Sequence, residues 1–144
     1  MILGGVGSDT ILANQGDENI ILGDNGVVNL NNGGSNDIYS TDTANGGDDT
    51  ITAGSNNIIL GGFGADQITL AGGTAVVLGD NGYVSRRGGN IGFGSLDDVL
   101  EVHTIDLDST TGGIDTISSQ AGENVILGGV AGDVITATGG SDNI

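Results

Sequence analysis

The chain has 144 residues, one domain's worth, with 30 glycines, no proline and no cysteine, and a formal charge of −17. Without cysteine there is no disulfide framework or thiolate metal site, and without lysine there is no P-loop. The charge sets the chain against nucleic-acid phosphates, and apolar runs such as Ala75–Leu78 are far too short to insert in a bilayer.

Residues 1–4 have no basic start and no long apolar core, so they do not read as a signal peptide. The first recurring unit is Gly4-Gly5-Val6-Gly7-Ser8-Asp9-Thr10-Ile11-Leu12, followed in phase by a weaker one with Gly16, Glu18 and Ile20. Leu22-Gly23-Asp24-Asn25-Gly26 and Gly46-Gly47-Asp48-Asp49-Thr50-Ile51 come next, then a second full unit, Gly61-Gly62-Phe63-Gly64-Ala65-Asp66-Gln67-Ile68-Thr69. In the last third, Ile117, Ile126, Ile135 and Ile144 stand nine apart, with Asp115, Asn124, Asp133 and Asp142 two residues before them. Gly113, Gly122 and Gly140 lie two residues further back, and Ala131 fills the remaining slot. A nine-residue period fits no helix and no simple strand alternation. It fits a turn plus one short strand per unit: glycine and Asx for the turn, and β-branched runs such as Thr50-Ile51-Thr52 for the strand with its Ile inward.

A longer period overlies the short one. Ile2-Leu3-Gly4-Gly5-Val6 returns at Ile59, 57 residues on, and again at Ile126, 67 residues further. Leu22–Gly26 returns as Leu78–Gly82, and Gly46–Ile51 returns as Gly112–Ile117. The second copy therefore carries a ten-residue insertion within 83–111, the stretch holding Arg86, Arg87 and His103, and it reads as a loop or bulged coil leaving the repeat. The copies fall at about 1–46, 47–113 and 114–144 of one domain spanning 1–144. With no obvious polar caps, the chain reads as a section of a longer repetitive protein.

The nonapeptide resembles the RTX (repeats-in-toxin) unit G-G-x-G-x-D-x-U-x, a calcium-binding parallel β-helix repeat. Residues 4–12 and 61–69 match every position, and 128–136 miss only the glycine that Ala131 replaces. The resemblance implies an all-β parallel β-roll or β-solenoid, with two short strands per coil of about 18 residues. Evenly divided, that is about eight coils and about 40 Å. A three-sided parallel β-helix is the alternative for the off-nine spacings.

Stacked units put like residues in columns about 4.8 Å apart, so uncompensated aspartates repel by about 3 kcal/mol per pair at an effective dielectric of 20. Two arginines cannot offset 19 acids, so the counter-charge must come from solution. Carboxylates, turn carbonyls and Asn amides are hard oxygen donors and suit Ca²⁺; Zn²⁺ would want Cys or His, and Mg²⁺ a tighter octahedron. Carried over from the resemblance, the ligands are Asp9, Asp66, Asp115 and Asp133, with Asp49, Asn124 and Asp142. Turn positions Gly5, Gly7, Gly62, Gly64 and Gly129 join them. Asp115 would pair with Asp133, Asn124 with Asp142, Asp49 with Asp66, and Asp9 with a turn near Asp24. Asp24 and Asp80 sit in Asp-Asn-Gly turns and read either as turn formers alone or as further ligands. Asp48, Asp97, Asp106 and Asp108 read as solvated.

No active site is legible. His103 reads as a loop histidine, Arg86 and Arg87 as exposed, and the four aromatic residues as too few for a glycan platform. The expectation is a non-catalytic, calcium-stabilised spacer of a secreted or cell-surface bacterial protein. The resemblance places it in a giant adhesin or exoprotein, folding on Ca²⁺ outside the cell. Its partners would be several calcium ions and neighbouring repeats, with no nucleic acid and no membrane insertion, and the chain itself a monomer. The alternatives are an ice- or polysaccharide-binding face, or an accessory module of a secreted enzyme. For the face, Thr10, Thr50 and Thr116 form a column that Gln67, Asn19 and Val134 interrupt.

Overall fold

The computed structural model describes residues 1–30, 35–87 and 98–143. Among these described residues the chain is all-β, with thirteen strands: β1 (Ile2–Leu3), β2 (Thr10–Ala13), β3 (Ile20–Leu22), β4 (Gly26–Asn29), β5 (Ser35–Ser40), β6 (Thr50–Leu60), β7 (Gln67–Leu78), β8 (Gly82–Arg87), β9 (Val99–Thr104), β10 (Thr116–Ser119), β11 (Glu123–Leu127), β12 (Val134–Ala137) and β13 (Ser141–Asn143).

Nine strands form one large parallel sheet with two tracks. The first track aligns Ile11, Ile51, Ile68, Ile117 and Ile135 in register. The second aligns Ile2, Ile21, Ile59, Val77 and Ile126. The long strands β6 and β7 run through both tracks, and their pairing shifts between Ser55 and Asn57. These register residues face one another in a single core, where Ile21, Ile51, Ile59, Ile68, Val77, Ile117 and Ile126 are fully buried. Alternation along each strand puts the intervening side chains on the opposite side. On the second track those are Ile20, Leu22, Ile58, Leu60, Val76 and Leu78, and they are buried as well.

What buries them is a four-stranded antiparallel sheet ordered β4-β5-β8-β9. Ile38 of β5 and Val84 of β8 supply its inner face. The chain leaves the parallel sheet after Leu22 and again after Leu78, each time through Gly-Asp-Asn-Gly, and returns at Thr50 and Thr116. Each departure contributes two strands, and β5 pairs with β8 to join the two departures into one sheet.

This corrects several expectations. Even division into eight coils gives way to five strands on the first track, because both long-repeat copies spend residues on the second sheet. Part of 83–111 is ordered strand rather than loop: His103 lies in β9 beside Tyr83, and Arg86 is buried while Arg87 is exposed. Residues 88–97, which include Phe93 and Asp97, lie outside the described residues, as does Ile144. Asn19 is not in the threonine column; it precedes Ile20 on the second track.

Candidate metal centre

The turns that enter the first track each end in aspartate, and parallel register stacks them. Asp9 N–H donates to Asp49 Oδ1 at 2.8 Å, Asp49 to Asp66 at 2.7 Å, Asp66 to Asp115 at 2.7 Å and Asp115 to Asp133 at 3.0 Å. The column therefore runs Asp9-Asp49-Asp66-Asp115-Asp133. The pairs Asp49–Asp66 and Asp115–Asp133 are as the spacing suggested. Asp9 is hydrogen-bonded to Asp49, forty residues on because the first departure separates neighbouring rungs, and its Oδ2 also lies beside the Gly23 turn that carries Asp24.

The second oxygens of these carboxylates lie inside. Oδ2 of Asp9, Asp49, Asp66 and Asp115 is buried without a hydrogen-bond partner. Each points at a glycine of the preceding strand exit. A Cβ on Gly23 would sit 2.1 Å from Asp49 Oδ2, on Gly61 2.3 Å from Asp66 Oδ2, and on Gly79 2.0 Å from Asp115 Oδ2. The same three positions lie 2.0–2.5 Å from the carbonyl oxygens of Gly61, Gly79 and Gly128. Buried carboxylate oxygens thus share a narrow seam with turn carbonyls, and a side chain larger than hydrogen has no room there.

Asp24 and Asp80 take a different role. Asp80 accepts the N–H of Gly113 through Oδ1 (2.9 Å) and of Val130 through Oδ2 (2.6 Å), tying together two turns seventeen residues apart in sequence. Asp24 Oδ2 accepts from Phe63 N–H at 2.6 Å, and the Gly47 N–H also lowers the cost of its charge. Both residues are turn formers and carboxylates of the same seam, and backbone N–H groups carry part of their charge. Asp48 accepts from Ala65 N–H, and Asp106 from Asn81, so these two cap turns as well as meeting solvent. Asp108 does the same for Thr110.

Burial dominates the electrostatics. It pushes Asp66 up to about 9, opposed by the Asp49 N–H and reinforced by Asp115, Asp49 and Asp24. Burial likewise raises Asp24 and Asp115 to about 7, and Asp49 and Asp80 to about 6. Protein cations give no relief: Arg86 and Arg87 are in β8, and Arg86 interacts with Asp98 and Glu18. Among the described residues no three carboxylate or imidazole groups converge on one point. Any cation in the seam would therefore be held by one or two carboxylates together with carbonyls.

On the other edge, Asn124 is in register with Asp142, for which only the backbone is described. Asn124 itself is buried and its amide donates to Ser119 Oγ at 3.1 Å. In the equivalent turn Asn19 donates to Asn57 Oδ1 at 3.0 Å, and Ala75 stands between Asn57 and Asn124 in the register. Of the glycines expected at the turns, Gly5, Gly7, Gly62, Gly64 and Gly129 all have φ between 102° and 119°. Comparison of the chain with protein-family models, with curated protein sequences and with solved structures gives no match.

Proposed function

We propose that the two tracks are the walls of a parallel β-roll, and that the chain is a calcium-binding, calcium-stabilised structural repeat. It would serve as a spacer in a secreted or cell-surface bacterial protein and fold when it meets Ca²⁺ outside the cell. The observation that carries this reading is the row of buried carboxylate oxygens with neither a donor nor a protein cation. A buried unpaired charge is costly, so these groups must either hold protons or share a cation. The donor set fits Ca²⁺: carboxylates of Asp9, Asp49, Asp66, Asp115 and Asp133 beside carbonyls of Gly61, Gly79 and Gly128. Asp24 and Asp80 add charge to the same seam. Bound there, the ion supplies positive charge between stacked turns, and its binding free energy becomes folding free energy. The nonapeptide pattern supports the same reading. Two strands per turn favour the β-roll over a three-sided helix. A periodic column lacks the paired, differently tuned acids of a hydrolase, so we infer no catalytic role.

The test is circular dichroism of the chelated protein during calcium titration. The expected result is a cooperative gain of β signal, or of melting temperature, that magnesium does not reproduce. A β spectrum and melting curve indifferent to chelator would remove the calcium reading.

One observation favours a surface-binding role as the second reading. The outward side of the first track reads Thr10, Thr50, Gln67, Thr116, Val134 in one row and Leu12, Thr52, Thr69, Ser118, Thr136 in the next, with no charged residue. Such an uncharged, regularly spaced face suits a periodic surface such as ice or a crystalline polysaccharide. Inhibition of ice recrystallisation, abolished by Thr52→Asp with Thr69→Asp, tests it.

A further inference from the structure

We propose that the outer face of the antiparallel sheet is a binding site for a neutral saccharide, built on the row Tyr39, Tyr83, His103. Four aromatic residues scattered in 144 look too few for a stacking platform. The topology changes that count. Tyr39 comes from the first departure and Tyr83 and His103 from the second, and antiparallel register sets them side by side on β5, β8 and β9. The Tyr39 and Tyr83 rings are 6.2 Å apart, and the Tyr83 and His103 rings stack at 5.1 Å. With Glu101 and Ile105 they line an open depression of about 400 Å³, within the range of small-ligand sites.

The chemistry of the lining selects the ligand. An anion is disfavoured by Glu101 and by the net charge of −17. A cation would meet the ring faces and the Glu101 carboxylate but would leave the hydrogen-bonding groups of the lining unused. Asp37 Oδ1 accepts from Tyr83 Oη at 2.9 Å and from Ser85 Oγ at 3.0 Å, and Glu101 Oε1 lies 3.2 Å from His103 Nδ1. What remains is apolar ring surface bordered by oriented acceptors and donors. A pyranose presents the complement: a C–H face for the rings and equatorial hydroxyls for Glu101, His103 and the tyrosine oxygens. The site exists only where two copies of the long repeat lie side by side. It is independent of the calcium reading.

Both tyrosines of the chain are in this row and there is no tryptophan, so tyrosine fluorescence is a local reporter. The chain is titrated, in calcium and again in chelator, with neutral oligosaccharides of glucose, galactose and N-acetylglucosamine, with tetramethylammonium chloride and a sulfated oligosaccharide as charged probes. A saturable change is expected with at least one neutral sugar and with neither charged probe. His103→Ala, which leaves both reporters in place, should weaken that binding about tenfold, and Glu101→Gln should weaken it too, with unchanged circular dichroism. No saturable response to any neutral sugar, saturation by tetramethylammonium instead, or equal affinity in His103→Ala overturns the proposal.

Discussion

Ala131 stands where the other complete units have glycine, and it keeps their backbone conformation, with φ 76°. For an L-residue with a side chain that conformation costs about 1–2 kcal/mol, part of which glycine returns as unfolded-chain entropy. Ala131→Gly should therefore stabilise the chain by about 1 kcal/mol in denaturant unfolding, with no change in the calcium response. Asp66 gives a sharper residue-level test. Burial raises its pKa to about 9, and its Oδ1 accepts from the backbone while its Oδ2 has no partner. Asp66→Asn keeps the acceptor and removes the charge. In chelator the variant should melt higher than the parent, and in saturating calcium it should melt lower, because a ligand has gone. If both conditions shift in the same direction, Asp66 does not hold a cation.

At the scale of elements, legibility followed the period. Each rung repeats turn, aspartate and inward isoleucine, so Ile20, Ile59, Ile68, Ile126 and Ile135 were recognisable as core; the first four are buried, and Ile135, on the last strand of the first track, is partly buried. The pair Asp115 and Asp133 was recognisable too, since only β11, and no departure to the second sheet, lies between their rungs. The antiparallel sheet was not. Strands such as Ser35–Ser40 mix polar and apolar residues without a repeat to amplify the signal, and their partners are found only in the other departure. The doubled Gly-Asp-Asn-Gly was visible as a tight turn, but a turn does not reveal that the chain is changing sheets. Its Gly26 shows the reason for that glycine: a Cβ there would lie 2.0 Å from Leu22 Cδ2 and 2.6 Å from the Tyr39 carbonyl oxygen. The second sheet is integral to the fold, because Ile38 is fully buried against Ile20, Leu22, Ile58 and Leu60 of the second track. Ile38→Ala should cost about 3 kcal/mol by denaturant unfolding. A cost below about 1 kcal/mol would mean that the parallel sheet stands without its cover.

For the whole molecule, the acids make pH and calcium opposing variables. Asp24, Asp49, Asp66, Asp80 and Asp115 have folded-state pKa values raised by burial to between about 6 and about 9. In the unfolded chain an aspartate titrates near 4. Between those limits the folded state binds more protons than the unfolded state, so stability falls as pH rises. The contribution is fully present below about pH 4 and is lost progressively through about pH 6 to 9. In chelator the melting temperature should therefore drop steeply from about pH 5 to about pH 8, the reverse of acid denaturation in a protein held by ion pairs. Calcium should remove that slope, since a bound cation replaces the missing protons at neutral pH, and acidification should then release calcium. Ordinary salt cannot substitute, because the carboxylate oxygens of the column are buried where screening is weak. Melting curves across pH, with chelator, with calcium and with matched sodium chloride, check all three statements. A chelated protein whose melting temperature rises with pH would show that the column is compensated in some other way, and the calcium reading would lose its physical basis.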